Sequence, residues 1–284
     1  MPQFPDRSRW FVSTDWLEAH LNAPDVAIVD GSWYLPAMNR AADAEYAEAH
    51  IPGAVRFDID AIADTSSSLP HMLPSAEAFS SAMRKLDIGD GMTVVVYDGA
   101  GLFSAPRVWW TFRVFGVKDV FILDGGLPKW KAENRPLTAD TPIRPHRHFT
   151  ARFDHSMVRG FDDVKAILAA RSARVVDARP AGRFKGEEPE PRPGVRSGHM
   201  PGAANVPASA LIADGRLKPG EDISAIFAKA DVDPSTPIVT SCGSGVTAAI
   251  LWLGLETIGA TKLSLYDGSW SEWGSRPDAD IVTD

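Results

Sequence analysis

The chain is 284 residues long, with 44% hydrophobic and 23% charged residues and a formal net charge of −8. That is enough apolar material for one or two packed cores. The acidic balance excludes nucleic acid or an anionic membrane surface as the main partner, a local basic pocket aside. One cysteine excludes an intramolecular disulfide and an all-cysteine metal site, and it leaves no second thiol in this chain to resolve an oxidised or sulfur-loaded Cys242.

Residues 1–10 are polar with two prolines and carry no apolar core of signal-peptide type. No apolar run approaches the length of a membrane span, so the expected compartment is the cytoplasm. Ser13-Thr14-Asp15 offers a hydroxyl cap and a first-turn acid, which start a helix. Residues 26–30 read as a strand ending on Asp30, and residues 41–49 as a short helix. His50-Ile51-Pro52-Gly53-Ala54 turns into a short strand running toward Phe57-Asp58-Ile59-Asp60. Residues 64–70 are polar and serine-rich, so they form a loop, and they deliver His71. Ser75 caps a helix to about Leu86. Residues 93–98 are a buried strand, followed by a glycine turn and a helix over 105–115. That turn reads G-x-G-x-x-S; it lacks the third glycine and falls mid-domain, which rules out a dinucleotide fingerprint. Residues 120–123 form another strand.

Prolines and basic residues accumulate over 134–153, the composition of an interdomain linker. His146, His148 and nearby His155 sit in and beside it without the carboxylate or thiolate partners a metal site uses, so they are expected in solvent and no metal is expected.

The most informative stretch is Ser241-Cys242-Gly243-Ser244-Gly245-Val246-Thr247-Ala248. An apolar β-branched run, 237–240, precedes it and reads as a buried strand. An apolar run, 249–255, follows and reads as a buried helix. Gly243 and Gly245 flank Ser244, so the backbone can curl and aim several N–H groups inward, just before a helix N-terminus. Such a cradle favours an anion and should depress a thiol pKa, which makes Cys242 a candidate thiolate nucleophile. The plainer reading is a buried structural cysteine.

The second half repeats the first. Arg174-Val175-Val176-Asp177 echoes Ala27-Ile28-Val29-Asp30. His199-Met200-Pro201-Gly202-Ala203 echoes His50-Ile51-Pro52-Gly53-Ala54. Ile238-Val239-Thr240-Ser241-Cys242 aligns with Val94-Val95-Val96-Tyr97-Asp98, and Leu265-Tyr266-Asp267-Gly268 echoes Ile122-Leu123-Asp124-Gly125. Alternating strands and helices imply parallel sheets covered on both faces. Asp98 stands where the second copy has Cys242, so only the second copy can do thiol chemistry.

The paired His-x-Pro-Gly-Ala segments, the tandem copies and the one cysteine in the second copy's loop resemble two-domain rhodanese-type sulfurtransferases over nearly the whole chain. The resemblance implies an α/β fold built as a tandem repeat of two rhodanese-like domains, each a parallel sheet with helices on both faces. It implies a non-catalytic domain over 8–135, a linker over 136–153 and a catalytic domain over 154–284. Members that use thiosulfate carry a cationic Cys-Arg-Lys-Gly-Val-Thr loop. The Cys-Gly-Ser-Gly-Val-Thr loop here is uncharged and resembles the branch of the family that takes 3-mercaptopyruvate. By the same resemblance Asp60, His71 and Ser244 form a proton relay serving Cys242. Arg183 and Arg192, the latter closing Glu188-Pro189-Glu190-Pro191, hold the substrate carboxylate. Gly243, Gly245, Val246 and Thr247 complete the binding loop. The implied acceptors are cyanide, small thiols or thioredoxin, with no cofactor.

Without the family, the same residues have blander readings. Arg183 and Arg192 would be surface arginines paired with Glu187 and Glu190, worth little. His71 would be a structural histidine and Asp60 a solvated strand-end acid. His50 and His199 recur in both copies and are expected to be structural. Three functional alternatives stand beside the first. A thiosulfate:cyanide transferase is disfavoured by the uncharged loop. A Cys-x5-Arg phosphatase would need arginine where Ala248 stands. The third is a non-catalytic sulfur-carrier module.

Overall fold

The computed structural model describes residues 4–283. Each copy builds a five-stranded, all-parallel sheet, and the strand order is the same in both. In the first copy the order is Phe11–Val12, Val120–Leu123, Thr93–Tyr97, Val26–Asp30, Ala54–Arg56. In the second it is Val158–Arg159, Leu263–Tyr266, Ile238–Ser241, Arg174–Asp177, Ala204–Asn205. The short edge strands Phe11–Val12 and Val158–Arg159 are additions to the sequence reading; two residues are too few to show a period.

The side-chain alternation of a strand sorts each sheet's residues into two layers. In the first copy Ala27, Val29, Val94, Val96 and Ile122 face one core. Val26, Ile28, Val95, Tyr97 and Leu123 face another, closed by Trp130. The second copy divides likewise, with Val176, Ile238 and Leu265 on one side and Val175, Val239 and Tyr266 on the other. The near-continuous apolar strands are therefore explained: both faces are covered.

The first-named layers of the two copies belong to one cluster. It is joined by the helices Ala105–Val114 and Ala248–Thr257, which follow the equivalent turns and pack on each other. The second of these is apolar all round, and all its residues but Glu256 are buried; such a helix is stable only inside a core. Trp110 and Trp252 meet edge to face at 6.2 Å. Where the joint reaches the surface, Glu256 accepts from Trp10 Nε1 at 2.7 Å and from Trp252 Nε1 at 2.9 Å, and it pairs with Arg113 at 2.7 Å.

Residues 139–154 form neither helix nor strand, yet they are strapped down. Arg144 donates to the carbonyls of Val26, at 2.7 Å, and Gly53, at 3.2 Å, and Phe149 is buried in the shared core. His146 is almost fully exposed and pairs with Asp87 at 2.8 Å, whereas His155 packs against Phe153. His50 and His199 hold their turns by stacking on Tyr46 and Phe184 and by contacts of their Nδ1 atoms to the Tyr46 and Phe184 carbonyls.

Candidate active site

Cys242 follows the central strand Ile238–Ser241 directly, and that strand runs between Arg174–Asp177 and Leu263–Tyr266. This is the carboxyl end of an open parallel sheet at the point where the strand order reverses, the usual place for a ligand in such folds. Cys242 is 2% exposed. Its loop is pinned from one side. Cys242 N–H donates to Ser269 Oγ at 3.2 Å, Trp270 N–H to the Cys242 carbonyl at 2.9 Å, and Ser271 N–H and Oγ to the Gly243 carbonyl at 2.8 and 2.6 Å. Gly245 has φ +79°, and a Cβ there would lie 2.8 Å from Arg107 Nη1 and 2.9 Å from the Asp267 carbonyl. Both the turn and the space require glycine. Among the described residues, the N–H groups of Gly243, Ser244, Gly245, Val246 and Thr247 donate to no backbone carbonyl.

The first copy shows what such a turn can hold. There the fully buried Asp98 carboxylate accepts from the N–H groups of Ala100, Phe103, Ser104 and Ala105 at 2.8, 2.7, 2.9 and 2.8 Å. Four backbone donors converging on one carboxylate make an anion nest. The aligned turn in the second copy begins at Cys242, and among the described residues the N–H groups of Ser244 and Thr247, opposite Ala100 and Phe103, have no backbone acceptor.

Asp60 and His71 are brought together. His71 Nδ1 lies 2.6 Å from Asp60 Oδ1, and Trp33 Nε1 donates to Asp60 Oδ2 at 2.9 Å. The His71 contact first, with help from Trp33, holds the Asp60 carboxyl below the usual carboxylate range against a smaller opposing effect of burial. His71 is buried and sits at φ +60°, a left-handed conformation that is strained for a histidine. Its Nε2 is buried and has no hydrogen-bond partner among the described residues, so none joins it to Ser244. The expected chain of three is closed at the Asp60–His71 joint and open at the His71–Ser244 joint. Neither Asp60 nor His71 lines the cleft beside Cys242; Trp33 lies at its wall, its ring 4.8 Å from that of His71.

That cleft encloses about 260 Å³, and Cys242, Gly243, Ser244, Val246 and Thr247 form its floor with Arg183 and Arg192. Larger surface hollows, one of about 720 Å³, contain no thiol. The two arginines differ. Arg183 donates through Nε to Glu190 at 3.2 Å and pairs with the same carboxylate through Nη2. Its guanidinium touches the loop, since a Cβ on Gly243 would lie 3.3 Å from it. Arg192 donates to Ser271 Oγ at 3.2 Å and has no carboxylate partner among the described residues. Burial lowers its pKa, and the negative charge of a Cys242 thiolate opposes that shift. The plainer reading thus holds in part for Arg183, which pairs with Glu190. It fails for Glu187, which pairs with Lys185 at 4.0 Å.

Sequence reasoning missed Trp33, Arg179 and Ser271. Arg179 is buried, pairs with Asp177 at 2.7 Å and with Glu190 at 2.8 Å, and stacks 4.0 Å over the Trp270 ring. It fixes the acid that orients Arg183. The signal was present as an arginine two residues beyond the strand-end Asp177. Among the described residues no group of three or more His, Cys, Asp or Glu side chains could hold a metal ion, and no helix is long and apolar enough to cross a membrane.

The chain is similar to known proteins over nearly its whole length. The 3-mercaptopyruvate sulfurtransferase of Escherichia coli K12 is 45% identical over 273 residues, covering 96% of this chain and 97% of that protein. The human 3-mercaptopyruvate sulfurtransferase is 42% identical over 289 residues, covering 99% and 97%. The crystal structure of SseA from Escherichia coli, described as a 3-mercaptopyruvate sulfotransferase with the rhodanese fold, superposes with a TM-score of 0.85 at 43% identity, covering 92% of this chain and 98% of that one. The rhodanese-like domain matches twice, over residues 13–133 and 161–276, one match on each sheet, and the chain belongs to the rhodanese family.

Proposed function

We propose that the chain moves the sulfur of 3-mercaptopyruvate through a persulfide on Cys242 to a thiol acceptor, releasing pyruvate. One observation carries the reading: Cys242, in a loop whose N–H groups donate to no backbone carbonyl among the described residues, shares a cleft with Arg192, a guanidinium paired with no carboxylate among those residues. A nucleophile and a carboxylate grip on one wall suit a donor whose charge lies away from its sulfur.

In this reading the Cys242 thiolate attacks the substrate thiol sulfur. An S–S bond forms, the C–S bond breaks, and its electron pair goes to carbon as the pyruvate enolate. The proton on the substrate sulfur ends on that carbon, so thiolate plus mercaptopyruvate becomes ionised persulfide plus pyruvate. Ser244 and His71, the latter held by Asp60, carry the proton. The loop N–H groups of Gly243, Ser244, Gly245, Val246 and Thr247 stabilise charge on sulfur; of these, Ser244 and Thr247 align with Ala100 and Phe103, whose N–H groups hold Asp98. Arg192 and the free edge of Arg183 hold the carboxylate and orient the thiol.

An acceptor thiolate, or cyanide, then takes the outer sulfur and restores Cys242. With no second cysteine in the chain, a dithiol protein such as thioredoxin is the acceptor that can release the sulfur as sulfide while it becomes a disulfide. The second copy, 154–284, is the catalytic one. The first, 8–135, with Asp98 in place of the thiol, supplies the relay, and 136–153 connects them. A cytoplasmic setting, where thiols are kept reduced, fits the acceptor chemistry.

The test is intact-protein mass spectrometry after treatment with 3-mercaptopyruvate. One added sulfur should map to Cys242, and Cys242→Ser should lose both the adduct and pyruvate release. Sulfur transfer that persists in Cys242→Ser removes the reading.

A further inference from the structure

One buried charge pair takes no part in this chemistry. Arg107, on the first copy's helix Ala105–Val114, pairs with Asp267, just beyond the second copy's strand Leu263–Tyr266, at 2.7 Å. Both side chains are almost wholly buried, 3% and 5% exposed. Burying two charges carries a desolvation cost that their attraction often only offsets, so such a pair is weak evidence for a role in stability alone.

Its side-chain hydrogen bonds lead to the site. Arg107 Nη2 donates to the His71 carbonyl at 2.6 Å, and Nη1 donates to the Gly245 carbonyl at 3.2 Å. Asp267 Oδ2 accepts from Leu73 N–H at 2.8 Å. His71, at φ +60°, therefore has its own carbonyl and the N–H two residues on tied to the two members of one ion pair. A left-handed histidine costs of order 1–3 kcal/mol and persists only where the surroundings over-determine it. The same guanidinium packs against Gly245, filling the space a Cβ would need. It also stacks 4.7 Å over Trp110, in the joint between the copies.

We infer that Arg107, neutralised by Asp267, is a positioning residue for sulfur transfer: it holds the His71 segment of the first copy and the Cys242 loop of the second at a fixed separation. A planar guanidinium can donate in several in-plane directions at once, which a lysine cannot reproduce. The inference rests on the relay reading of Asp60, His71 and Ser244, and the test separates the two.

The experiment is a double-mutant cycle in the full chain, with Arg107→Met and His71→Ala alone and together. The readouts are kcat and KM for pyruvate release from 3-mercaptopyruvate and the rate of Cys242 alkylation by iodoacetamide. If Arg107 acts through His71, Arg107→Met lowers kcat about 10- to 100-fold, within the general acid–base range, and leaves KM and the alkylation rate within about threefold. In the His71→Ala background the same substitution then costs less than about threefold, because coupled residues are not additive. Equal losses in both backgrounds, or wild-type kcat in Arg107→Met, overturn the inference. Wild-type kcat in His71→Ala overturns the relay reading itself. Should Arg107→Met fail to fold, Asp267→Asn, which keeps an acceptor for Leu73 N–H, runs through the same cycle with the same criteria.

Discussion

Replacing Arg192 by glutamine is the sharpest probe of substrate binding. The guanidinium donates to Ser271 Oγ, a bond glutamine can replace, and among the described residues no carboxylate pairs with it directly, Glu190 and Asp60 acting on it only from a distance. What the substitution removes is therefore the charge and the free edge offered to a substrate carboxylate. Hydrogen bonds to a charged partner contribute about 1.5–3 kcal/mol each, and two unit charges ~4 Å apart interact by about 4 kcal/mol at an effective dielectric near 20, before desolvation. Burial already lowers the Arg192 pKa, so part of the desolvation cost is met before substrate arrives. A net loss of about 3 kcal/mol is expected, which is roughly a 150-fold fall in kcat/KM. Because the carboxylate is gripped equally in ground and transition states, the loss should sit in KM. Arg183→Gln should cost less, since Glu190 already takes two of its donors. The assay is steady-state pyruvate release over a range of 3-mercaptopyruvate concentrations. A KM for Arg192→Gln within about threefold of wild type, or a larger loss in Arg183→Gln, would refute the reasoning.

The remaining predictions concern the first copy. Asp98→Ala leaves four N–H groups without their acceptor, those of Ser104 and Ala105 buried and those of Ala100 and Phe103 half-buried; at about 1–3 kcal/mol for a buried unsatisfied group, a loss of at least about 3 kcal/mol is expected. Thermal unfolding should then come at least about 6 °C earlier, and a shift under about 2 °C would show that the turn does not depend on the carboxylate. Asp30 is buried, and desolvation raises its pKa despite its bonds to Ser32. For a raised carboxyl the folded state binds the extra proton, so the stability it contributes is complete below the usual carboxylate range and is lost as pH rises through the raised value. Asp30→Asn keeps an acceptor for Ser32 N–H and should remove that loss. Its thermal midpoint relative to wild type should therefore rise as pH climbs from the usual carboxylate range toward neutrality, and a constant difference would contradict the assignment.

Much of this was legible in the sequence because it is local or repeated. The strands at 26–30, 93–97 and 238–241 announce themselves as β-branched runs, and the turn at Cys242 as two glycines between a strand and a helix. The duplication supplied its own alignment, which placed Asp98 opposite Cys242 before any contact was known. What stayed hidden depends on contacts between distant segments. Arg107 and Asp267 lie 160 positions apart and read separately as one polar residue in an apolar helix and one strand-end acid. The different fates of Arg183 and Arg192 depend on where Glu190 points, and no spacing rule gives that. His71 is the intermediate case: its role as a partner of Asp60 came from resemblance, while its strained backbone is visible only in three dimensions.

The single apolar cluster shared by the two copies has a mechanical consequence. Clefts between domains commonly open and close about a few loop residues. Here the walls of the cleft are backed by helices Ala105–Val114 and Ala248–Thr257, which are buried against each other, and rotating one copy against the other would bring Trp110 and Trp252 into water. The cleft is thus a rigid slot. Donor and acceptor must then enter and leave in turn, and access is governed by the side chains that line the cleft from the first copy, Trp33, Leu35 and Phe103, with no swing of one half of the molecule over the other.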